Sequence, residues 1–119
     1  MAIIVIDFDG TIVRDKYPFI GEVYHNAPQV IARLRLKGHK VIINTCRSGR
    51  FEEEAKIVLQ RAGIAYDAIN ENLPEVIEQY HSDTRKISGD VYIDDKNLGG
   101  HRLTWLDIEE LLKLEHNIG

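Results

Sequence analysis

The chain opens on an apolar run, Ile3-Ile4-Val5-Ile6, that stops abruptly at Asp7-Phe8-Asp9-Gly10-Thr11. An unbroken run rich in β-branched residues has no polar face to give to water. It reads as a strand covered on both sides, as in a parallel sheet. Asp and Gly then impose a turn. Two carboxylates two residues apart project to the same side where the strand ends. Like charges that close resist joint ionisation unless a proton or a cation joins them. Such a pair can hold Mg²⁺, or divide the roles of nucleophile and acid/base. The alternative is an acidic turn after a core strand, with no chemistry attached.

The same design recurs further on. Val41-Ile42-Ile43-Asn44-Thr45 is an apolar strand ending on a hydroxyl, and Val91-Tyr92-Ile93-Asp94-Asp95 ends on a second carboxylate pair. Helical spacing separates these strands. Asn26 is expected to cap a helix with Pro28 in its first turn, Ala27, Val30, Ile31 and Leu34 inward, and Gly38 at its end. A second helix is expected from about Phe51, with Phe51, Ala55, Val58, Leu59 and Ala62 inward and Gly63 as its stop. Residues 64–69 read as a short strand. Pro74 opens a helix to about Tyr80, with Val76, Ile77 and Tyr80 inward. Thr104 is placed to cap the last helix, with Asp107 completing a capping box and Trp105, Ile108, Leu111 and Leu112 inward. Residues 12–25 suit a short hairpin or loop. Alternating β and α elements predict an α/β fold with a parallel sheet covered by helices. In such sheets the site lies at the carboxyl ends of the strands, where Asp7, Asp9, Thr45, Asp94 and Asp95 all fall.

A chain of 119 residues, 44% of them hydrophobic, suits one compact domain with its own core. A net charge of −4 lacks the basic footprint of a general nucleic-acid binder. Cys46 is the single cysteine, so no intrachain disulfide can form, which is compatible with a reducing cytoplasm. No basic leader follows Met1, and no apolar stretch reaches the roughly 18–20 residues of a membrane span. A soluble cytoplasmic protein is the expectation. The five histidines lack zinc-site spacing.

The order of Asp7-Phe8-Asp9-Gly10-Thr11, a strand-terminal Thr45, Lys86 and Asp94-Asp95 resembles the haloacid dehalogenase (HAD) superfamily, mostly Mg²⁺-dependent phosphatases. The signatures run from residue 7 to residue 95 and so cover most of the chain. The resemblance implies a three-layer HAD-like Rossmannoid fold with a central, mainly parallel sheet. That superfamily commonly inserts a cap domain after the first motif or before the last. Here neither the gap 12–26 nor the gap 70–90 can hold a folded domain. Residues 1–119 therefore read as a single capless HAD-like hydrolase domain with an open site.

The resemblance also implies roles. Asp7 would be the nucleophile, forming an aspartyl-phosphate. Asp9 would protonate the leaving alkoxide and then deprotonate the hydrolytic water. Asp7 and Asp94 would offer carboxylates to Mg²⁺, and Asp9 its backbone carbonyl. Asp95, counted with the metal set, would hold a metal-bound water or orient Lys86. Gly10 lets the backbone turn so that nearby N–H groups, at Gly10 and Thr11, can reach phosphate oxygens. Thr45 would hydrogen-bond the phosphoryl group, and Lys86 would neutralise charge on Asp7 and the phosphate, with Arg85 and Lys96 as competitors for that role.

In Thr45-Cys46-Arg47-Ser48-Gly49-Arg50, Arg47 is expected on the substrate side, because a guanidinium fork suits phosphate. Cys46 is grouped with Thr45 and Arg47 on the substrate side, as a small packed residue rather than a nucleophile. Arg50 either joins the site or pairs with Glu52, Glu53 or Glu54. Two other readings remain open: a phospho-receiver-type signalling domain, and a catalytically silent HAD-like binding module. The partner expected is a phosphorylated substrate, either a small molecule or a macromolecular end. The acidic charge disfavours nucleic acid, and a homo-oligomer could cover the open site.

Overall fold

The computed structural model describes residues 1–119. The first apolar run is strand β1 (Ile3–Asp7). It is followed by a hairpin of β2 (Val13–Lys16) and β3 (Phe19–Val23). Helix α1 (Ala27–Leu36), strand β4 (Lys40–Asn44) and helix α2 (Gly49–Arg61) come next. Then come β5 (Ala68–Ile69), α3 (Pro74–Tyr80), β6 (Val91–Ile93) and α4 (Trp105–His116).

Four strands form one parallel sheet in the order β5-β4-β1-β6, so β1 lies at its centre. Asp7 aligns with Asn44 in the register of β1 and β4, and Ile6 aligns with Ile43 and Ile93. The hairpin forms a separate two-stranded sheet.

Strand side chains alternate between faces, and the core divides accordingly. Ile4, Ile6, Val41 and Ile43 join a large cluster with Val30, Ile31 and Leu34 of α1, Ala55 and Leu59 of α2, and Trp105, Ile108 and Leu112 of α4. Val5 and Ile42 face the other way, with Ala68 of β5 and with Leu73 and Val76 at α3. The result is three layers: helices α1, α2 and α4, the sheet, and α3. The α/β architecture read from the alternating runs is the architecture observed. No helix is long and apolar enough to cross a membrane.

Several local expectations change. Asn26 precedes α1 with a left-handed φ of 68° and makes no side-chain capping bond. Helix α2 starts at Gly49 rather than Phe51. Residues 64–67 lie outside the strand, and the Asp67 side chain accepts the Val41 N–H and pairs with Arg35. Tyr80 is exposed rather than inward. The capping box of α4 forms as read: Asp107 N–H donates to the Thr104 hydroxyl at 3.1 Å, and Thr104 N–H to the Asp107 carboxylate at 3.0 Å.

Candidate active site

The turn after β1 is built around one carbonyl. Phe8 C=O accepts the N–H groups of Thr11, Ile12 and Val13, while Gly10 N–H donates to Val13 C=O at 2.7 Å. The Phe8 ring is fully buried in the core and anchors the turn from below. Gly10 sits at φ +87°, and a Cβ there would fall 2.4 Å from a carboxylate oxygen of Asp95. A side chain at residue 10 is therefore excluded twice, by backbone conformation and by the acidic group packed against it.

That turn brings three carboxylates together. One oxygen from each of Asp7, Asp94 and Asp95 lies within 4.8 Å of the others. Thr11, itself buried, links the two strand ends: its hydroxyl donates to Asp7 at 3.3 Å and accepts the Asp95 N–H at 3.0 Å. Trp105 of α4 donates its indole N–H to the Thr11 carbonyl at 2.9 Å, which ties the site to the core. Asp94 is braced by the Lys96 N–H at 2.9 Å on its carboxylate and by the Asn97 N–H on its carbonyl. Thr11→Val keeps the shape but strands the Asp95 N–H. It is expected to cost about 1 kcal/mol, read as a lowered urea midpoint with an unchanged slope. An unchanged midpoint would mean that the threonine bridge contributes nothing.

Crowding of like charges has an electrostatic consequence. Burial, then the charges of Asp94 and Asp95, push the Asp7 carboxyl up to about 7. Asp95 is raised as well, by burial first and by Asp94 second, and the Lys96 charge opposes the rise. Without a cation, charge on Asp7 and charge on Asp95 oppose one another. One oxygen of Asp95, Oδ1, is buried without any hydrogen-bond partner. An orphaned carboxylate oxygen inside a cluster of hard oxygen donors fits a divalent cation such as Mg²⁺.

Asp9 stands apart from this cluster, although only one residue separates it from Asp7. Both of its oxygens are taken by Arg47, whose Nε lies at 2.7 Å and Nη2 at 2.8 Å. Arg47 is buried, with 2% of its surface exposed, and it also donates to the carbonyls of Pro18 and Phe19. The sequence places this arginine on the substrate side; in the structure its fork faces Asp9 and the hairpin.

Thr45 follows β4, and its hydroxyl accepts the Arg47 N–H at 3.1 Å, which leaves its own proton free to donate. Asn70 is a residue the sequence reading passed over. At a left-handed φ of 54°, just after β5, it accepts the Thr45 N–H at 2.7 Å and donates to Glu52 at 3.1 Å. The Asp-Ala-Ile-Asn ending of that strand was its only signal, since Asn tolerates such a φ.

The remaining expectations meet different surroundings. Lys86 is exposed, with its ammonium 5.1 Å from the centre of the Tyr92 ring, and no ion pair joins it to Asp7. Its loop is held by buried Asn72, which donates to Asp83 at 2.9 Å and to the Thr84 carbonyl and accepts the Ser88 N–H at 2.7 Å. Arg85 is exposed, and Lys96 lies by the acidic cluster through its N–H. Cys46 is exposed rather than packed. Arg50 makes no ion pair with the glutamates and lies over the Phe51 ring at 5.0 Å. The N–H groups of Gly10 and Thr11 are spent inside the turn, whereas the Asp9 N–H has no partner. A groove of about 620 Å³ runs from Gly10 and Asp95 along β6 to α4; Asp7, Asp9 and Thr45 do not line it.

No family model matches the chain, and no curated protein matches it. Among solved structures, a conserved protein coded by a locus from Bacteroides thetaiotaomicron superposes with a TM-score of 0.85 at 34% identity. The match covers 96% of this chain and 91% of that one. The chain belongs to the same family as that conserved protein. A second structure is the D,D-heptose 1.7-bisphosphate phosphatase from B. bronchiseptica, complexed with magnesium and phosphate. It matches 68% of this chain and 64% of its own at 21% identity and a TM-score of 0.46, a likeness too distant to assign an activity.

Proposed function

We propose that the chain is a HAD-type phosphohydrolase that cleaves a phosphate monoester through an aspartyl-phosphate on Asp7. The carrying observation is the division of four carboxylates into two environments. Asp7, Asp94 and Asp95 converge on one point with an orphaned buried oxygen, while Asp9 is turned away and held by Arg47.

In this reading Asp7, Asp94 and Asp95 hold Mg²⁺, which supplies charge neutralisation for an anionic ester. Thr45 donates its free hydroxyl proton, and Asp9 its unpaired N–H, to phosphoryl oxygens. An Asp7 oxygen attacks phosphorus. The bond from phosphorus to the leaving oxygen breaks, and that oxygen takes a proton from the Asp9 carboxyl. Water then attacks phosphorus, gives a proton to Asp9 and releases phosphate as the bond to Asp7 breaks. Thr11 keeps Asp7 oriented throughout. The substrate is a small phosphate ester or an exposed phosphorylated end, and the site of action is the cytoplasm.

The test is turnover by purified protein of an aryl phosphate and a panel of phosphorylated metabolites and oligonucleotide ends. Release of inorganic phosphate is expected with Mg²⁺ and loss of it with a chelator. Phosphate release that is indifferent to chelation, or none from any ester, refutes the reading. A receiver-type domain would instead take up a phosphoryl group from a small phosphodonor without rapid ester turnover.

A further inference from the structure

Arg47 uses its guanidinium in an unusual way for a basic residue beside a phosphate site. Four donor contacts are committed: Nε and Nη2 to the two oxygens of Asp9, Nη1 to the Pro18 carbonyl at 3.2 Å, and Nη2 to the Phe19 carbonyl at 2.9 Å. Arginine offers five N–H donors in a fixed plane, so this set nearly exhausts it. Its central carbon lies over two rings, 4.9 Å from the centre of Tyr17 and 5.7 Å from that of Phe8. Tyr17 in turn meets Phe51 of α2 at 5.9 Å. Reaching an incoming phosphoryl group would mean leaving a half-buried, bidentate carboxylate unpaired.

We propose that Arg47 is a positioning residue that acts through Asp9, locking the acid/base carboxylate and the β2–β3 hairpin into one unit; this rests on the phosphatase reading above. Two features give the lock a purpose. Asp9 is close enough in sequence to Asp7 to join the acidic cluster, where it would be spent as a further metal ligand. The Arg47 fork holds it out of that cluster. Nη2 serves both Asp9 and the Phe19 carbonyl, and Nη1 adds the Pro18 carbonyl, so the hairpin turn is held by the same residue. Arg47 N–H also donates to the Thr45 hydroxyl, so one short stretch fixes both the phosphoryl-facing hydroxyl and the proton carrier.

The test uses Arg47→Gln and Arg47→Lys in the full chain, with steady-state kinetics on two esters. One is an aryl phosphate whose leaving group departs without a proton; the other is an alkyl phosphate whose leaving group needs one. The expected result is a kcat loss about 10- to 100-fold larger on the alkyl ester than on the aryl ester, with KM within about threefold. In an Asp9→Asn background the same Arg47 change is expected to add less than about threefold, because the two act as one element. Raised KM with intact kcat on both esters would make Arg47 a substrate contact and overturn the proposal. Equal losses on both esters that persist in the Asp9→Asn background would also overturn it.

Hydrogen exchange supplies a readout independent of turnover. Amides of residues 16–22 are expected to exchange faster in Arg47→Gln and in Asp9→Asn, with no further rise in the double variant. Unchanged exchange in both refutes the lock even if the wild-type protein is active. If the wild type hydrolyses no ester, the phosphatase reading fails while exchange still decides the lock. The lysine variant, which keeps the charge but loses the fork, carries the test if the glutamine variant does not fold.

Discussion

Asp7→Asn is expected to abolish turnover while leaving the metal-free protein more stable than wild type. The amide keeps the size of the carboxylate and can still accept from the Thr11 hydroxyl. It cannot attack phosphorus, and loss of a catalytic nucleophile costs on the order of 10⁴–10⁶ in kcat. The gain in stability has a separate cause. Burial and the neighbouring Asp94 and Asp95 disfavour a charge at residue 7, and the neutral amide relieves that conflict. A melting temperature raised by several degrees without cation, together with phosphate release at background, is the expected pair of results. Wild-type-like turnover would end the covalent reading. Lost turnover with lost stability would show that Asp7 serves the fold and not the chemistry.

Removing divalent cation is expected to make stability fall as pH rises from about 4 to about 7, and adding Mg²⁺ near neutrality to restore it. Asp7 titrates near its ordinary 3.8 in the unfolded chain but at about 7 in the folded one. Below about pH 4 both states hold the proton, and the contribution of this group is fully present. As pH rises, the unfolded chain ionises first, and by the time pH passes through the folded value the contribution is gone. Because the carboxylate keeps contact with solvent, the effect is discounted to about 1–2 kcal/mol. Mg²⁺ favours the ionised form and binds only the folded site. At a hundred times its Kd it adds about 2.7 kcal/mol, roughly 10 °C in a domain of this size. Carboxylates in ion pairs act with the opposite sign: Glu109 is held low by its hydrogen bonds from Arg33 and loses stability on acidification. The measurement is therefore the difference between wild type and Asp7→Asn in thermal melts across pH, with and without Mg²⁺. A wild-type melt that ignores Mg²⁺, or a difference that grows as pH falls, would remove the acidic cluster as a cation site.

Much of the scaffold was legible because it depends on short-range periodicity. Residues Ile3–Ile6, Val41–Ile43 and Val91–Ile93 are apolar without a break, and each became a strand of one parallel sheet. Alternating helical segments left those strands no partners except one another, in parallel. The Thr104–Asp107 capping box closes within four residues, so nothing distant was needed to form it. By the same logic the chain placed Asp7 and the Asp94-Asp95 pair at strand ends. It could not say how far a strand extends, as the two-residue β5 shows, because strand length depends on the pairing partner beside it.

What the amino-acid order determined by itself, then, was the sheet, the layers and the acidic groups available at the carboxyl edge. The tertiary structure decided which of those groups meet. Arg47 and Asp9 lie 38 positions apart and Thr11 and Asp95 lie 84 apart, yet each pair is in hydrogen-bond contact. Spacing predicts neither, because such pairs follow from strand order, register and the path of the turns between them. The same cause leaves Lys86 without an ion pair to Asp7: its loop is fastened by Asn72 and its ammonium rests over Tyr92. It also turns Arg47 from a free fork into a buried one, since only the folded hairpin supplies the carbonyls of Pro18 and Phe19 that complete its set of acceptors.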